Sequence, residues 1–273
     1  MKTRKTGSFL SSFFSKEDIV SEFLSPEASK LAELATVHFH EYQHFNDKQE
    51  LIRAVSICEQ LIEVACTHSL TDTVLALYKY ASTSFHLDDD EIDQRNVFNY
   101  LNLADQLSAE LIDQEQDLKK QRKLVIGRQK ALSLQAMFAL RFHQGNMLEF
   151  TMHLLMSTFS IVPNPPYQLE AYRNLFQVYF NRNDFRLAEV MVTKAMSVMV
   201  DADHSIEAKH LSKIKIARSL NCKDVNGVRD VLMNEIYPQF DSILTEAAKS
   251  PCEKHLLISL NKYFVTIFKL NLV

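Results

Sequence analysis

Apolar residues recur at steps of three and four along most of the chain, the spacing of helices that bury one face. The segment 26–45 is the first clear case. Pro26 suits a first helical position, and Leu31, Leu34, Ala35, His38, Tyr42 and Phe45 fall on one side. Ahead of it, Ser15 with Asp18 three residues on has the form of a capping box, opening a short helix that carries Val20, Phe23 and Leu24. Asn46-Asp47 breaks the pattern and caps a further helix, with Leu51, Ala54, Val55, Cys58, Leu61 and Ile62 on its stripe. A third helix is predicted from about Thr71 to Phe85, through Leu75, Tyr78 and Ala81. The next carries Val97, Leu101, Ala104, Leu107 and Leu111 and is expected to reach about Val125.

From about Gly127 onward the helices read as pairs. Turn signals occur at Gly145-Asn146, at Asn183-Asp184 and at Asn221 to Asp224, in two steps of 38 residues. A fixed period of that size is the mark of a stacked helical repeat. The stretch 169–200 has the strongest pattern. It places large residues Tyr172, Leu175 and Tyr179 on a first helix, and Phe185, Ala188 and Ala195 on a second. This stretch resembles a tetratricopeptide repeat, a helix–turn–helix unit in which aromatic residues fill the space between paired helices and alanines permit close approach. Phe176 departs from the family pattern, which prefers a small residue there. The stretches 131–162 and 205–237 are weaker copies, with Phe150 where a small residue is expected.

The resemblance implies an all-α fold of antiparallel helix pairs stacked into an α–α superhelix. One such unit cannot bury its apolar face alone, and its neighbours do so. The expected organisation is a polar N-terminus over residues 1–14, degenerate helix pairs over 15–125, and repeats with a C-terminal helix over 126–273. In the family, the concave surface lined by the first helices holds an extended peptide or a helix. Carried onto this chain, the groove-facing positions are Glu170, Arg173, Asn174, Gln177 and Asn181. An Arg and two amides suit the carboxylates and backbone of a peptide.

Composition narrows the choice. Gly occurs only four times, too seldom for a sheet with many tight turns or for a phosphate-cradling loop. The net charge of −4 argues against a dedicated nucleic-acid binder. The basic run Lys119, Lys120, Arg122 and Lys123 has no interleaved aromatics and reads as a solvated helix face, with Glu115 four residues before Lys119. Asp88-Asp89-Asp90-Glu91 lacks the spacing and Gly of a calcium loop and reads as carboxylates at a helix N-terminus. Cys58, Cys66, Cys222 and Cys252 are widely separated in helical patterns, as expected of buried, reduced thiols in a cytoplasmic protein. The basic start followed by Phe9-Leu10 is too short and too broken by serines to read as a signal peptide, and no uncharged run is long enough to cross a membrane. No cofactor is expected.

One motif invites a catalytic reading. His40-Glu41-Tyr42-Gln43-His44 fits the spacing at which two histidines on one helix face bind zinc while the Glu activates water. On the helical wheel, however, His40 and His44 lie opposite Leu31, on the polar face. A zinc peptidase needs a dry cleft with partners for each imidazole. His38, on the apolar side, reads as a hydrogen-bonded core histidine. Near the C-terminus, Leu260, Phe264, Ile267 and Phe268 form part of an apolar stripe broad enough to predict self-association as a homodimer. The functional expectation is a non-enzymatic protein- or peptide-binding module, an adaptor or regulator, with a peptide-responsive signalling regulator as the alternative.

Overall fold

A computed structural model describes residues 23–198 and 205–222, together with Gly227, Asp230, Val231, Asn234 and Glu235. Every element among the described residues is a helix: α1 (Pro26–Phe45), α2 (Lys48–His68), α3 (Leu70–Ser84), α4 (Gln94–Gln114), α5 (Leu118–Arg141), α6 (Gly145–Thr158), α7 (Pro165–Asn181), α8 (Phe185–Val198) and α9 (Ser205–Asn221). The chain divides into two compact units, residues 1–178 and 179–273. The boundary expected at 125 lies within α5.

Within the first unit, each helix from α1 to α5 packs on the next, and odd-numbered helices also meet: α1 touches α3, and α3 touches α5. α7 reaches α5 through a hydrogen bond from Ser133 to Glu170. Helix starts are set by local capping. The Ser25 side chain accepts from the Ala28 amide ahead of Pro26, and the Asp47, Ser69, Asp93 and Asp117 side chains accept from amides of the first turns of α2 to α5. Asn46 takes a left-handed conformation at the end of α1, as its place in the predicted break requires.

Three sequence expectations need correcting. The inner face of α1 is Ala28, Ala32, Ala35 and Phe39, whereas Leu34 and Phe45 are 47% and 79% exposed. The small residues bring α1 close to its neighbours, and the larger ones are left outside. The helix expected to run to Val125 ends at Gln114. Glu115 caps it and accepts a hydrogen bond from the Asp117 amide at 2.9 Å, so Glu115 and Lys119 lie in different elements and form no helical pair. Gly127 then sits inside α5 rather than before it. The acidic run 88–91 does not start a helix. It lies in the α3–α4 connection, where Lys48 pairs with Asp88 at 2.7 Å and Glu91 at 2.9 Å, and Arg141 pairs with Asp89 at 2.6 Å.

The turns after α5 and α7 are built alike. His143 and Asn183 are both left-handed, with φ of 55° and 61°. The amides of Gln144 and Asp184 bond back to the carbonyls of Ala139 and Tyr179 at 2.8 and 2.9 Å. This is a helix-ending motif in which the left-handed residue turns the chain toward the next helix. These two matching turns lie 40 residues apart, at His143 and Asn183, rather than the 38 read from Gly145.

In the second unit α8 packs on α9, and Arg218 of α9 bonds the Phe185 carbonyl at 3.1 Å and pairs with Glu189 at 2.7 Å. Ala188 and Ala195 are buried, at 0% and 1% exposure. Ala188→Leu is therefore expected to overpack this unit and cost about 1–3 kcal/mol. An unfolding midpoint equal to that of the wild type in a urea titration would show that the site has room. Of the short helix expected after Ser15, residues up to 22 lie outside the described residues, and Phe23 and Leu24, which it was expected to carry, are not helical; the stripe of Leu260, Phe264, Ile267 and Phe268 also lies outside the described residues. Among the described residues no helix is long and apolar enough to cross a membrane.

Candidate functional site

Helix α5 organises the interior around α7. Its residues 131–136 are all buried, so it has no solvent face there and its polar side chains must find partners inside. Gln129 does so by donating to Thr158 Oγ1 at 3.0 Å and to the Val162 carbonyl at 2.9 Å, while Asn164 donates back to Gln129 Oε1 at 3.2 Å. These bonds fix the connection from α6 into α7. Ser133, one turn along the same face and 0% exposed, points its hydroxyl at the Glu170 carboxylate, 3.1 Å from each oxygen.

Glu170 is the unusual group. It is half-buried, and burial pushes its pKa up to about 7, with the Ser133 hydroxyl opposing the shift. Among the described residues no cation pairs with it. Tyr167, one turn before it and 8% exposed, has its phenol pushed well above the usual range by burial and by the nearby Tyr78 and Glu170. Burial also raises Tyr78, to about 12. One hydroxyl hydrogen shared between two carboxylate oxygens leaves most of the acceptor capacity of Glu170 unused.

The other groove positions are distributed along α7. Asn174 is half-buried and donates to Met152 Sδ of α6 at 3.7 Å. Arg173 is half-buried and Gln177 exposed. Asn181 is exposed and belongs to the second unit, so the structure brings Glu170, Arg173, Asn174 and Gln177 together on one unit and leaves Asn181 out of it.

The histidine motif does not assemble. His40 Nδ1 meets Gln43 Oε1 at 3.2 Å on the surface, and the exposed His44 lies beside the ring of Phe45. Glu41 turns instead toward His38 and Glu50, and donor atoms of these three lie within 4.8 Å of one another, the spacing of a metal-ligand set. The observed chemistry is an ion-pair network. His38 Nδ1 bonds Glu50 Oε2 at 2.6 Å and approaches Glu41 at 3.6 Å, while Arg53 binds the other oxygen of Glu50. Hydrogen bonding from His38 lowers the Glu50 pKa. His38 is thus hydrogen-bonded, as its place in the sequence predicted, and half-buried rather than in the core.

Among the described residues four buried charged groups, Asp72, Lys79, Asp105 and Glu207, escaped the sequence reading. Asp72 is 0% exposed and accepts from the amides of Leu24 at 2.8 Å and Ser25 at 3.0 Å, and pairs with His68 at 2.9 Å. Lys79 is 9% exposed and donates to Thr36 Oγ1 at 2.8 Å, and burial lowers its pKa. Beside it, burial raises the Cys58 thiol to about 11, the opposite of an activated nucleophile. Cys66 and Cys222 are exposed rather than buried, and Cys252 lies outside the described residues.

Comparison of the chain with protein-family models, with curated proteins and with solved structures gives no match.

Proposed function

We propose that the chain is a non-enzymatic protein- or peptide-binding module of tetratricopeptide-like construction, acting as a cytoplasmic adaptor or regulator. The observation that carries this reading is the row of odd-numbered helices. α1, α3 and α5 touch in order, and α7 joins α5 through Ser133 and Glu170. In stacked helix pairs the first helices line the ligand surface. On this row α7 presents a carboxylate, a guanidinium and two amides at Glu170, Arg173, Asn174 and Gln177, a set suited to holding peptide backbone and termini. The 40-residue spacing of the two matching turns supports the same construction, with a longer unit than the period of 34 usual in the family.

A displayed random-peptide library panned on the intact chain tests the reading. Enrichment is expected on the wild type and at least a tenfold loss on Arg173→Glu combined with Asn174→Ala, at an unchanged unfolding midpoint. No enrichment, or enrichment equal on both proteins, would contradict binding at this face.

A further inference from the structure

An ionisable carboxyl held half out of water normally has a cation or several hydrogen bonds to compensate for its lost hydration. Asp105 shows the usual solution in this same unit. Arg128 approaches both of its oxygens, at 2.6 and 3.3 Å. Asp72 shows another, with two backbone amides and an imidazole. Glu170 has neither. Its two oxygens share the single hydroxyl of Ser133 at 3.1 Å, and Arg173, one turn along α7, has an interaction of its own and does not neutralise it. The nearby phenol of Tyr167 is uncharged at neutral pH.

The geometry points to Glu170 as the seat for a positively charged group of the bound peptide, either a Lys or Arg side chain or a free N-terminal amine. This inference rests on the peptide-binding reading above and makes it specific: the ligand is basic at one position. Three features agree. Among the described residues the carboxylate has no counter-charge, its position on α7 belongs to the proposed ligand-lining helix, and the Ser133 hydroxyl bonds it from α5. A cation placed there gains a charge-assisted hydrogen bond in surroundings partly shielded from water, where such bonds are strongest. A ligand carboxylate at the same place would meet an unscreened like charge. The site therefore selects for charge.

The test uses two positional-scanning heptapeptide libraries, one with free and one with acetylated N-termini, titrated against the full chain by fluorescence polarisation. Mixtures with Lys or Arg fixed at one position are expected to bind at least tenfold more tightly than those with Ala or Glu there. Glu170→Gln should bring the Lys and Arg mixtures to the same affinity as the Ala mixtures. If the preference is for an amino terminus instead, it appears in the free library and disappears on acetylation. Binding without a basic preference, or a preference that survives Glu170→Gln, would overturn the cation seat and leave the peptide-binding reading standing. Absence of binding by every mixture would overturn both. The unfolding midpoint of Glu170→Gln, measured alongside, identifies a variant that has failed to fold. In that case Glu170→Asp replaces it, and a basic preference not weakened by withdrawing the carboxylate one methylene overturns the seat.

Discussion

Glu170→Gln is expected to make the protein more stable at pH 8, by about 2 kcal/mol, although it removes a charged hydrogen-bond acceptor. The direction follows from linkage. The Glu170 pKa rises from 4.5 to about 7 on folding, mainly through burial. A carboxyl with a raised folded pKa binds more protons in the folded state than in the unfolded state between those two values, so stability falls as pH rises through that window. Above pH 7 the penalty is fully present, and at about 1.4 kcal/mol for each pH unit its upper limit is roughly 3.5 kcal/mol. Partial exposure reduces it. Gln keeps the shape and one acceptor for Ser133 but has no charge to desolvate. The stability difference between the two proteins should therefore be near zero below pH 4.5, grow through pH 7 and then level off. Urea unfolding at four pH values measures it. A Gln variant less stable than the wild type at pH 8 would mean that Glu170 is compensated by something else.

Asp72→Ala has the opposite sign and a comparable size, a loss of about 3 kcal/mol. The carboxylate is wholly buried and holds the chain as it enters α1, through the Leu24 and Ser25 amides, while also pairing with His68. Truncation leaves the Ser25 amide buried without its acceptor, and an orphaned buried donor costs about 1–3 kcal/mol beyond the lost charged hydrogen bond. Asp72→Asn keeps one carbonyl for one of the two amides and should recover less than half of the loss. A thermal melt of the three proteins ranks them. An Asp72→Ala midpoint within a degree of the wild type would show that the start of α1 needs no such anchor.

The two residues differ in how far the sequence revealed them. Glu170 lay on a polar stripe of a helix whose partner pattern was readable, and family register marked it as ligand-facing. Its missing counter-charge was not readable, because that depends on Ser133, 37 residues earlier, being its hydrogen-bond partner. Asp72 sits at the start of α3 and looks like any acidic residue favoured by a helix dipole. Its amide partners lie nearly 50 residues away, beyond local pattern. Helix boundaries were legible where a cap is local, as at Pro26 and at Asn46-Asp47. They were missed at Glu115 to Asp117, where no Gly or Pro interrupts the chain and the break depends on one Asp capping side chain. The inner face of α1 was read correctly at Ala35 and misread elsewhere, because size was taken as the sign of burial, whereas Ala28 and Ala32 are inside. Close helix approach selects small residues, and hydrophobic patterning alone gives them little weight.

Amide hydrogen exchange of the full chain, with and without a library-selected peptide, tests most directly whether the ligand sits on α7. The account predicts slowed exchange in residues 165–178 on binding, with smaller effects in α5 near Ser133 and none in the α1–α2 turn at Asn46. Protection confined to other helices, with 165–178 unchanged at saturating peptide, would contradict it.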